Sequence, residues 1–511
     1  MARLVLVGLP GTGKSSLAHH LAPLLGVEAL DTDDVVRERT GRDVAQWIRE
    51  EGEPAFRLVE AEALEWALAR DAVVATGGGV VTHERSRHLL AGQPVVWLDA
   101  APDDLVERVD SGDRPLLGGD VAERLGRLYG ERRALYAAVS TWRLSASRTL
   151  DDLGREVLNV VRSERAVHRV ELAERGYDVV VSRGARHQLA GLVARRSPAA
   201  RQVVVVTTKN LRTQPWWDIE AGLASHVIEV PDGEAAKSLS SLERLCESFA
   251  ALGMSRRDVV VSVGGGAVCD LAGFAAAVYL RGVAVVHVAT TLLAQVDAAI
   301  GGKTAVDLAA GKNLVGAFHQ PLGVLCDLDV LETLPEREWR SGWGEVAKCA
   351  LLERRTDLSR EQVASLVNLA VALKARIVSS DEREGGERAL LNYGHTLAHA
   401  IEAIALERDP DELRHGEAVG VGLAFATRLA VRLGRLEEGR IGEVDRYLES
   451  FGLSSALGSF STDAVVDFMT RDKKAHHDLT FVLDGPRGVE VVAGVDPAVV
   501  AATIESMKGE R

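Results

Sequence analysis

The larger part of this sequence is organised around a histidine-rich segment, LNYGHTLAH over residues 391–399, which is followed by HGE over residues 415–417. On a helix, His395 and His399 would lie one turn apart on the same face, and His415 returns after a short loop. Each of these histidines alone is more often a surface or hydrogen-bonded core residue. Three imidazoles at this spacing, however, suit a divalent metal of the zinc type. The segment therefore indicates a metal site.

Length and composition limit which classes of protein are possible. A chain of 511 residues should hold about three domain-sized units, and 47% hydrophobic residues are ample for packed cores. The 60 basic and 74 acidic residues give a net charge of −14, which argues against nucleic acid or an anionic membrane surface as the main partner. The four cysteines form no CxxC pair and are expected to be buried thiols in a reducing compartment.

The beginning of the chain bears on its location. MARLVLVG over residues 1–8 runs directly into a predicted strand and a glycine loop, which leaves no room for a signal peptide. No apolar run is expected to reach membrane-spanning length. We therefore expect a cytoplasmic protein without a membrane partner.

A second motif, GLPGTGKS over residues 8–15, matches the pattern GxxxxGK[ST] in full. An apolar run over residues 3–7 predicts a strand before it, and residues 16–25 predict a helix after it. In this setting, backbone N–H groups wrap a phosphate at the helix N-terminus. Lys14 adds positive charge toward the β- and γ-phosphates, and the Ser15 hydroxyl can ligate Mg²⁺. The motif predicts a nucleoside triphosphate site.

Polar residues after this loop suit a small phosphoryl acceptor. Asp31 and Asp33 end a second predicted strand, where Asp31 can meet the magnesium shell and Asp33 can accept a proton from a substrate hydroxyl. Arg57 brings a cation near the pocket, and a third strand ends in glycines 77–79, where a ligand can approach the backbone closely. Residues 113–117 (DRPLL) are expected to form a mobile lid.

Together these motifs resemble the shikimate kinase family over residues 1 to about 160. The resemblance rests on the P-loop, Asp31-x-Asp33, Phe56-Arg57, the triple glycine, Arg114-Pro115-Leu116-Leu117 and Arg132 before Leu135-Tyr136. It implies that ATP and Mg²⁺ are bound by Gly11, Thr12, Gly13, Lys14, Ser15, Ser16, Asp31 and Arg114. It implies that shikimate is bound by Asp33, Arg57, Gly78 and Arg132. Lys14, Asp33 and Arg114 would take part in catalysis.

Residues about 170 to 330 alternate predicted strands and helices around another glycine turn. The strand over residues 259–263 enters GGGAVCD over residues 264–270, an anion-binding turn at a helix start. A tight packing turn is about as common for such a sequence. The next strand ends in Thr290 and Thr291, whose hydroxyls suit phosphate or ribose.

Several cations follow in unusual surroundings. Lys303, Lys312 and Arg281 lie in segments that are otherwise apolar or glycine-rich, which favours an anion pocket over a solvated charge run. The rest of the chain is mostly helical by its periodicity. In it, Glu345 and Lys348 lie three residues apart, near one helical face.

From about residue 170 to residue 490 the chain resembles the 3-dehydroquinate synthase family. The resemblance rests on PDGE-x-x-K from residue 231, the turn at 264–270, Asp297 with Gly301–Thr304, Lys312-Asn313, Glu345-x-x-Lys348, Asn392–His399 and His415–Glu417. It implies an open two-histidine, one-carboxylate set for Zn²⁺ or Co²⁺, made of Glu345, His395 and His415. His399 is then a proton-handling neighbour, a distinction that spacing alone leaves open.

The same resemblance implies a recycled NAD cofactor and a phosphorylated sugar-acid substrate. The implied NAD contacts are Glu234, Lys237, Gly265, Gly266, Asp270, Thr290, Thr291, Lys303, Lys312 and Asn313. The implied substrate contacts are Asp297, Lys303, Asn313, Lys348, Lys374, Arg388, Asn392, Arg281 and one of Lys473 or Lys474, here Lys474. Asp297, Lys303, Lys348 and His399 would take part in catalysis. Arg281 is expected to reach a neighbouring subunit's site, which implies a homodimer.

We therefore expect an α/β protein in three parts. Residues 1–165 would form a P-loop kinase domain with a parallel sheet flanked by helices. Residues 170–330 would form a Rossmann-like NAD-binding unit, and residues 331–511 a mostly helical unit for metal and substrate. Thr208 stands where an acidic residue near the adenosine ribose is often found, which leaves the preference for NAD over NADP open.

The expected function is that of a bifunctional enzyme of aromatic amino acid biosynthesis. One half would phosphorylate shikimate, and the other would cyclise 3-deoxy-D-arabino-heptulosonate 7-phosphate to 3-dehydroquinate. Rivals for the second half are a metal-dependent alcohol dehydrogenase, which the many cations disfavour, and another sugar-phosphate cyclase. Lys374, Arg388 and Asn392 favour a substrate that bears a carboxylate. Rivals for the first half are a different small-metabolite kinase and a nucleotide-gated regulatory module.

Overall fold

Short apolar runs near the N-terminus form a five-stranded parallel sheet in the order β2-β3-β1-β4-β5. The computed structural model describes residues 2–109, 120–163, 165–309, 311–409, 412–471 and 479–508. The strands are β1 (Leu4–Val7), β2 (Glu28–Asp31), β3 (Ala72–Ala75), β4 (Val95–Asp99) and β5 (Trp142–Ser145). The helices around them are α1 (Lys14–Leu25), α2 (Thr32–Thr40), α3 (Val44–Glu51), α4 (Glu53–Leu68), α5 (Glu84–Leu90), α6 (Pro102–Leu105), α7 (Val121–Val139) and α8 (Leu150–Arg162).

A second sheet of seven strands follows, in the order β6-β7-β14-β11-β10-β8-β9. Its strands are β6 (Ala166–Val170), β7 (Tyr177–Ser182), β8 (Gln202–Thr208), β9 (Ala224–Val230), β10 (Val259–Gly264), β11 (Ala284–Ala289) and β14 (Gly323–Asp327). Neighbouring strands are parallel except β6 and β7. The valine-rich β8 and β10 are buried, as expected for central strands of such a sheet.

The second sheet carries four helices and a separate hairpin. The helices are α9 (Leu189–Arg196), α10 (Lys209–Arg212), α11 (Leu239–Ala251) and α12 (Gly266–Val278). The antiparallel hairpin consists of β12 (Lys303–Leu308) and β13 (Gly311–Phe318). The glycine turn between β10 and α12 lies at the carboxyl end of the sheet, where ligands bind in open α/β folds.

The C-terminal part is mostly helical. Its helices are α13 (Glu336–Leu352), α14 (Val363–Ser380), α15 (His395–Arg408), α16 (His415–Arg432), α17 (Gly439–Ser450), α18 (Thr462–Arg471) and α19 (Pro497–Ser506). A hairpin of β15 (Leu479–Leu483) and β16 (Glu490–Val495) completes it. The central helix α16 is buried along most of its length and contacts α13, α15, α17 and α19. The expected fold class is confirmed: a parallel-sheet unit, a Rossmann-like unit and a helical unit.

One helix contradicts the expectation that no apolar run is long enough to span a membrane. Within the described residues, α14 has the length and apolar composition for that, and 56% of it is buried inside the protein. It packs against α13 and β6, and it carries the buried Lys374. These contacts are those of a core helix of the helical unit.

Candidate active sites

The glycine loop after β1 is shaped to wrap an anion. Gly11 and Gly13 have φ of +86° and +84°, a region that residues with a side chain rarely adopt. A Cβ on Gly11 would also lie 2.7 Å from Val109 Cγ2. Lys14 lies at the start of α1, and its Nζ donates hydrogen bonds to the carbonyl oxygens of Gly8 at 2.9 Å and Leu9 at 2.8 Å. The loop therefore presents backbone N–H groups and one ammonium at a helix N-terminus.

The carboxylate predicted for magnesium lies beside this loop. Asp31 ends β2, and its Oδ2 accepts a hydrogen bond from the Ser15 hydroxyl at 2.6 Å. Its Oδ1 accepts from the Asp33 backbone N–H at 2.9 Å and caps α2. Thr12 is buried in the loop, whereas Ser16 is exposed on α1. The two oxygen groups suited to Mg²⁺ are thus adjacent.

The residues predicted to bind the phosphoryl acceptor gather around the triple glycine. Arg132 Nη1 donates to the Gly78 carbonyl oxygen at 2.9 Å. A Cβ on Gly77 would lie 2.9 Å from Asp33 Oδ1, and a Cβ on Gly79 would overlap the Arg57 guanidinium. The glycines therefore let both side chains approach the backbone. Arg114 lies outside the described residues.

A buried carboxylate that the sequence reasoning missed holds Arg57 in place. Glu60 is fully buried, and its Oε2 accepts from Arg57 Nη1 at 2.8 Å. Burial raises the pKa of Glu60, although the Arg57 guanidinium opposes that shift. Among the described residues, Arg57 Nε, Glu60 Oε1 and Arg132 Nε are buried without a hydrogen-bond partner. A polar ligand would satisfy such atoms.

Several residues predicted for NAD form one cluster beside the glycine turn. Lys237 Nζ donates to Asp270 Oδ2 at 2.8 Å and to Asn313 Oδ1, and it lies 3.7 Å from Glu234 Oε1. Burial raises the pKa of Asp270 to about 6, although the Lys237 ammonium opposes that shift. Asn313 has φ of +58°, and its N–H donates to Asp307 Oδ1 at 2.7 Å.

The glycine turn between β10 and α12 lets neighbouring groups approach its backbone closely. A Cβ on Gly265 would lie 2.9 Å from Thr291 Cγ2, and a Cβ on Gly266 would lie 3.1 Å from Ala298 Cβ. Thr291 Oγ1 accepts from the Ala294 N–H at 3.1 Å. Within the described part of the chain, the buried hydroxyls of Thr290 and Thr208 lack a partner. They are free to contact a bound ligand at the carboxyl ends of β11 and β8.

Three side chains from separate helices converge as a candidate metal centre. Glu345 Oε1 lies 3.2 Å from both His395 Nε2 and His415 Nε2. The three donor atoms lie within 4.8 Å of one another, as ligands of one ion do. His395 Nδ1 contacts the Tyr393 carbonyl oxygen at 3.1 Å, and His415 Nδ1 contacts Glu402 Oε2 at 3.1 Å. Such bonds orient ligating imidazoles, so the set fits a divalent metal.

The electrostatics of this group agree with a cation site. Burial disfavours a charged imidazole, yet the carboxylates of Glu345 and Glu402 raise the pKa of His415 to about 10. Glu402 Oε1 also accepts from Lys312 Nζ at 2.8 Å. A divalent cation would replace the proton between Glu345 and His415. The carboxylates of Glu345 and Glu402 would therefore stabilise that cation as they stabilise the protonated imidazole.

His399 lies next to this group rather than in it. Its ring centroid is 5.3 Å from that of His395 and 6.3 Å from that of His415. Burial and the neighbouring imidazoles lower the pKa of His399 to about 4. The ring is therefore neutral at pH 7.

Glycine contacts bring the three helices close enough for this convergence. A Cβ on Gly344 would overlap the Gly416 carbonyl oxygen, and a Cβ on Gly416 would overlap that of Ser341. A Cβ on Gly422 would overlap the carbonyl oxygen of Gly394. Gly344, Gly394 and Gly416 each adjoin one of the three candidate ligands. Backbone contact thus sets the distances between them.

The buried charged residues that were predicted to contact the substrate lie around the metal group. They make ion pairs and hydrogen bonds with protein groups. Lys348 Nζ contacts Glu345 Oε2, and Lys374 Nζ donates to Asp297 Oδ1 and, at 2.7 Å, to the Asp297 carbonyl oxygen. The Lys374 ammonium holds the pKa of Asp297 below its usual value against the effect of burial. Arg388 Nη2 donates to the Gly301 carbonyl oxygen at 3.2 Å.

Two further predicted residues meet at a carboxylate that the sequence reasoning did not single out. Lys303 Nζ donates to Glu384 Oε2 at 2.6 Å, and Asn392 Nδ2 donates to Glu384 Oε1 at 3.0 Å. Arg281 is not brought to these residues: it lies in an exposed turn after α12 with φ of +67°. Lys474 and Lys473 lie outside the described residues.

Glu402 could have been found from the sequence, whereas Glu60 and Glu384 could not. His395, His399 and Glu402 occupy positions i, i+4 and i+7 of one helix, so they share a face. Glu60 follows Arg57 by three residues, a spacing typical of exposed ion pairs as well.

The fold and these two sites define a P-loop kinase joined to a metal-dependent enzyme with a dinucleotide-type turn. Family models match residues 10–162 (Shikimate kinase), 227–341 (3-dehydroquinate synthase N-terminal) and 342–475 (3-dehydroquinate synthase C-terminal). A putative aminodehydroquinate synthase of Amycolatopsis mediterranei (strain S699) is 49% identical over 342 residues, 66% of this chain and 93% of that protein. The 3-dehydroquinate synthase of Mycobacterium leprae (strain TN) is 43% identical over 342 residues, 63% of this chain and 93% of that protein.

A solved structure is also similar. The 2-deoxy-scyllo-inosose synthase complexed with carbaglucose-6-phosphate, NAD⁺ and Co²⁺ superposes with a TM-score of 0.59 at 25% identity, covering 67% of this chain and 100% of that chain. The chain belongs to the 3-dehydroquinate synthase family, and it carries a shikimate kinase domain at its N-terminus. It is a bifunctional enzyme with both activities, in the shikimate pathway.

Proposed function

We propose that the kinase domain transfers the γ-phosphoryl group of Mg·ATP to the 3-hydroxyl of shikimate. The P-loop N–H groups and Lys14 would hold the phosphates, and Ser15 and Asp31 would hold the magnesium. Asp33 accepts the proton of the attacking hydroxyl. Arg57 and Arg132 bind the shikimate carboxylate, because two guanidinium groups suit a carboxylate. Arg114 offsets charge on the transferred group.

We propose that the synthase half converts 3-deoxy-D-arabino-heptulosonate 7-phosphate into 3-dehydroquinate and phosphate. When bound, a divalent ion would polarise a substrate hydroxyl, and NAD would take up a hydride and return it. Glu345, His395 and His415 would hold the ion. The glycine turn with Lys237, Asp270 and Asn313 would hold the dinucleotide.

The side chains around the metal group would bind and orient the substrate. Lys348, Lys374 and Arg388 neutralise its phosphate and carboxylate, which would otherwise crowd negative charge into a buried site. His399, whose lowered pKa favours the neutral ring, would accept a proton. The observation that carries this proposal is the convergence of Glu345, His395 and His415 beside the buried Lys348.

Two assays test the proposal. Purified protein with catalytic amounts of NAD should release phosphate and form 3-dehydroquinate, and EDTA should abolish the reaction. Accumulation of stoichiometric NADH would contradict it. Shikimate should stimulate ATP turnover, and Lys14→Ala should abolish that turnover while synthase activity remains. Loss of both activities in Lys14→Ala would contradict separate catalytic sites.

A second candidate substrate for the synthase half is the amino analogue that yields aminodehydroquinate. The relative with that name is 49% identical to this chain, against 43% for the mycobacterial 3-dehydroquinate synthase. Comparison of kcat/KM for the two substrates decides between them. The 3-dehydroquinate assignment is overturned if the amino substrate is preferred.

We also propose the domain boundaries 1–165, 170–330 and 331–511, together with a homodimer built through the synthase half. The separate sheets and the helical unit support the boundaries. The exposed turn of Arg281, with the exposed Leu280 and Val278 beside it, supports a contact between subunits. Light scattering should give the mass of a dimer, and Arg281→Ala should lower synthase activity. A monomer with full activity would contradict this.

A further inference from the structure

The edge strand of the kinase sheet is hydrogen-bonded to the NAD-binding unit. The Trp142 indole N–H donates to the Arg183 carbonyl oxygen at 3.1 Å, and the Arg143 backbone N–H donates to His187 Nδ1 at 3.1 Å. Since Nδ1 accepts a hydrogen bond, His187 Nε2 carries the hydrogen and donates to Asp218 Oδ2 at 2.9 Å. The β5 backbone therefore selects the tautomer of a histidine in the other unit.

The Arg143 side chain spans the boundary between the two units. Its Nη2 donates to Asp99 Oδ2 at 2.6 Å within the kinase domain, and its Nη1 donates to the Asp218 carbonyl oxygen at 3.4 Å across the boundary. The guanidinium also lies 4.8 Å from the centre of the Trp97 ring. Its side chain is 17% exposed, so removal of one of these partners would leave a charge in a mostly dry setting.

Apolar packing surrounds this polar contact. Helix α7 of the kinase domain lies against α9, where a Cβ on Gly191 would stand 2.7 Å from the Ala138 carbonyl oxygen. Ala190 of α9 is buried in the hydrophobic core of the kinase domain. Arg133 Nε pairs with Glu220 Oε2 at 2.7 Å beside it. Separated domains would lose this packing and leave buried polar groups unpaired.

Both ends of the polar contact lead to a catalytic site. On the kinase side, Asp99 follows Leu98, whose carbonyl oxygen would overlap a Cβ on the P-loop residue Gly8. On the other side, Arg186 pairs with Asp218 at 2.7 Å and with the fully buried Asp327 at 2.7 Å.

A last hydrogen bond joins Asp327 to the synthase site. Gln295 Nε2 donates to the Asp327 carbonyl oxygen at 2.8 Å, and Gln295 precedes the predicted substrate residue Asp297 by two positions. The contacts are continuous from the P-loop to this segment.

From these contacts, and because one hydrophobic core joins the NAD-binding and helical units, we infer that the kinase domain and the synthase half form one cooperative folding unit that Arg143 holds together. A nucleotide bound to the P-loop therefore protects the synthase half against unfolding. The inference rests on nucleotide binding by the P-loop, as proposed above, but not on the identity of either substrate. Fluorescence titration of the unheated protein with Mg·ADP shows separately whether the P-loop binds.

The experiment heats the full-length protein with and without saturating Mg·ADP and then measures the remaining synthase activity. For one cooperative unit of 511 residues, a ligand at about 100 times its Kd should raise the half-inactivation temperature by about 2.5 °C. Calorimetry should show a single transition that moves by the same amount. For independent domains, only the kinase transition would move, by about 8 °C, and synthase inactivation would not change.

Three variants complete the test. Lys14→Ala should abolish the shift, which shows that ADP acts at the P-loop and not at the dinucleotide turn. Arg143→Ala should abolish the shift in synthase inactivation, and Arg143→Lys should keep part of it. Arg155→Ala is the matched control, because that arginine belongs to an ion pair on the kinase surface and is 74% exposed.

Three results would overturn the inference. They are two calorimetric transitions in the parent protein, a synthase inactivation temperature unmoved by bound ADP, and an Arg143→Ala protein that keeps the full shift. Should Arg143→Ala not fold, Arg143→Lys and the parent protein decide by the same criteria.

Discussion

The kinase site and the synthase site are built in opposite ways. The phosphate-binding part of the kinase site is mainly backbone: eight consecutive residues, 8–15, form a loop whose N–H groups are available to bind an anion. The candidate metal centre is made only of side chains, from α13, α15 and α16, and Glu345 is 70 positions before His415. A backbone site needs the conformation of one loop, whereas a side-chain site needs several helices at set distances. The two sites should therefore respond differently to mutation.

The largest expected effect is on the metal centre. Glu345→Ala removes the carboxylate that both imidazoles face, and synthase activity should fall by more than about 100-fold, because loss of even a supporting residue around a metal costs 10- to 100-fold. Phosphate release and metal content by mass spectrometry measure it. Shikimate-dependent ATP turnover should be unchanged, and Glu336→Ala, exposed on the same helix, is the control. A metal-loaded, active Glu345→Ala protein would refute the ligand set.

The next largest effect is a loss of stability in the kinase half. It sharpens the comparison of the two sites, because there a pair of side chains supports a site that is built mainly from backbone. Glu60→Ala leaves Arg57 with one of its two carboxylate partners, and removal of one partner of a buried pair costs about 3–5 kcal/mol. Urea unfolding followed by tryptophan fluorescence measures it. Glu62→Ala, on the exposed face of the same helix, should change stability little. Equal stabilities of the two variants would show that the Arg57–Glu60 pair does not support this site.

A third prediction concerns a substitution that changes the geometry of the metal centre without replacing a candidate ligand. Gly416→Ala places a methyl group onto the Ser341 carbonyl oxygen and should push α16 away from α13, at about 1–3 kcal/mol of stability. Metal affinity, measured by competition with a chelator, should fall. Gly439→Ala is the matched control, because a Cβ there meets open space at the start of α17. Unchanged affinity in Gly416→Ala would mean that helix spacing does not set the site.

The smallest predicted effect concerns the seven-stranded sheet of the synthase half. His287 is buried in β11, and burial with the nearby His319 lowers its pKa to about 3. The unfolded chain, with a histidine pKa of about 6.5, binds a proton that the folded protein does not, so stability falls as pH drops below about 7. The loss from pH 7 to pH 6 should be about 0.7 kcal/mol.

The His287→Asn variant isolates that contribution. Urea unfolding of the parent and of His287→Asn at pH 7 and pH 6 gives four free energies, and only the parent should show this histidine's share of the loss. Other titrating groups cancel in the comparison. An identical pH dependence in both proteins would show that His287 takes up a proton in the folded state.

Much of the fold followed from periodicity. The strand–loop–helix around Lys14 and the valine-rich strands β8 and β10 were predicted, because local glycines and β-branched residues restrict the backbone directly. The two charged partners Glu60 and Glu384 were not predicted. Their roles depend on which distant residue they meet, and nothing in their immediate sequence distinguishes them from solvated carboxylates.

The sequence by itself determined the P-loop, the second glycine turn and the helical face shared by His395 and His399. These features depend on residues within one helical turn or one loop, so local sterics and hydrogen bonding specify them. Only the tertiary structure decided that Glu345, His395 and His415 converge with His399 beside them, and that Arg143 joins the two halves. Those distances arise from the packing of helices whose backbones touch at glycines, and packing is a property of the whole folded chain.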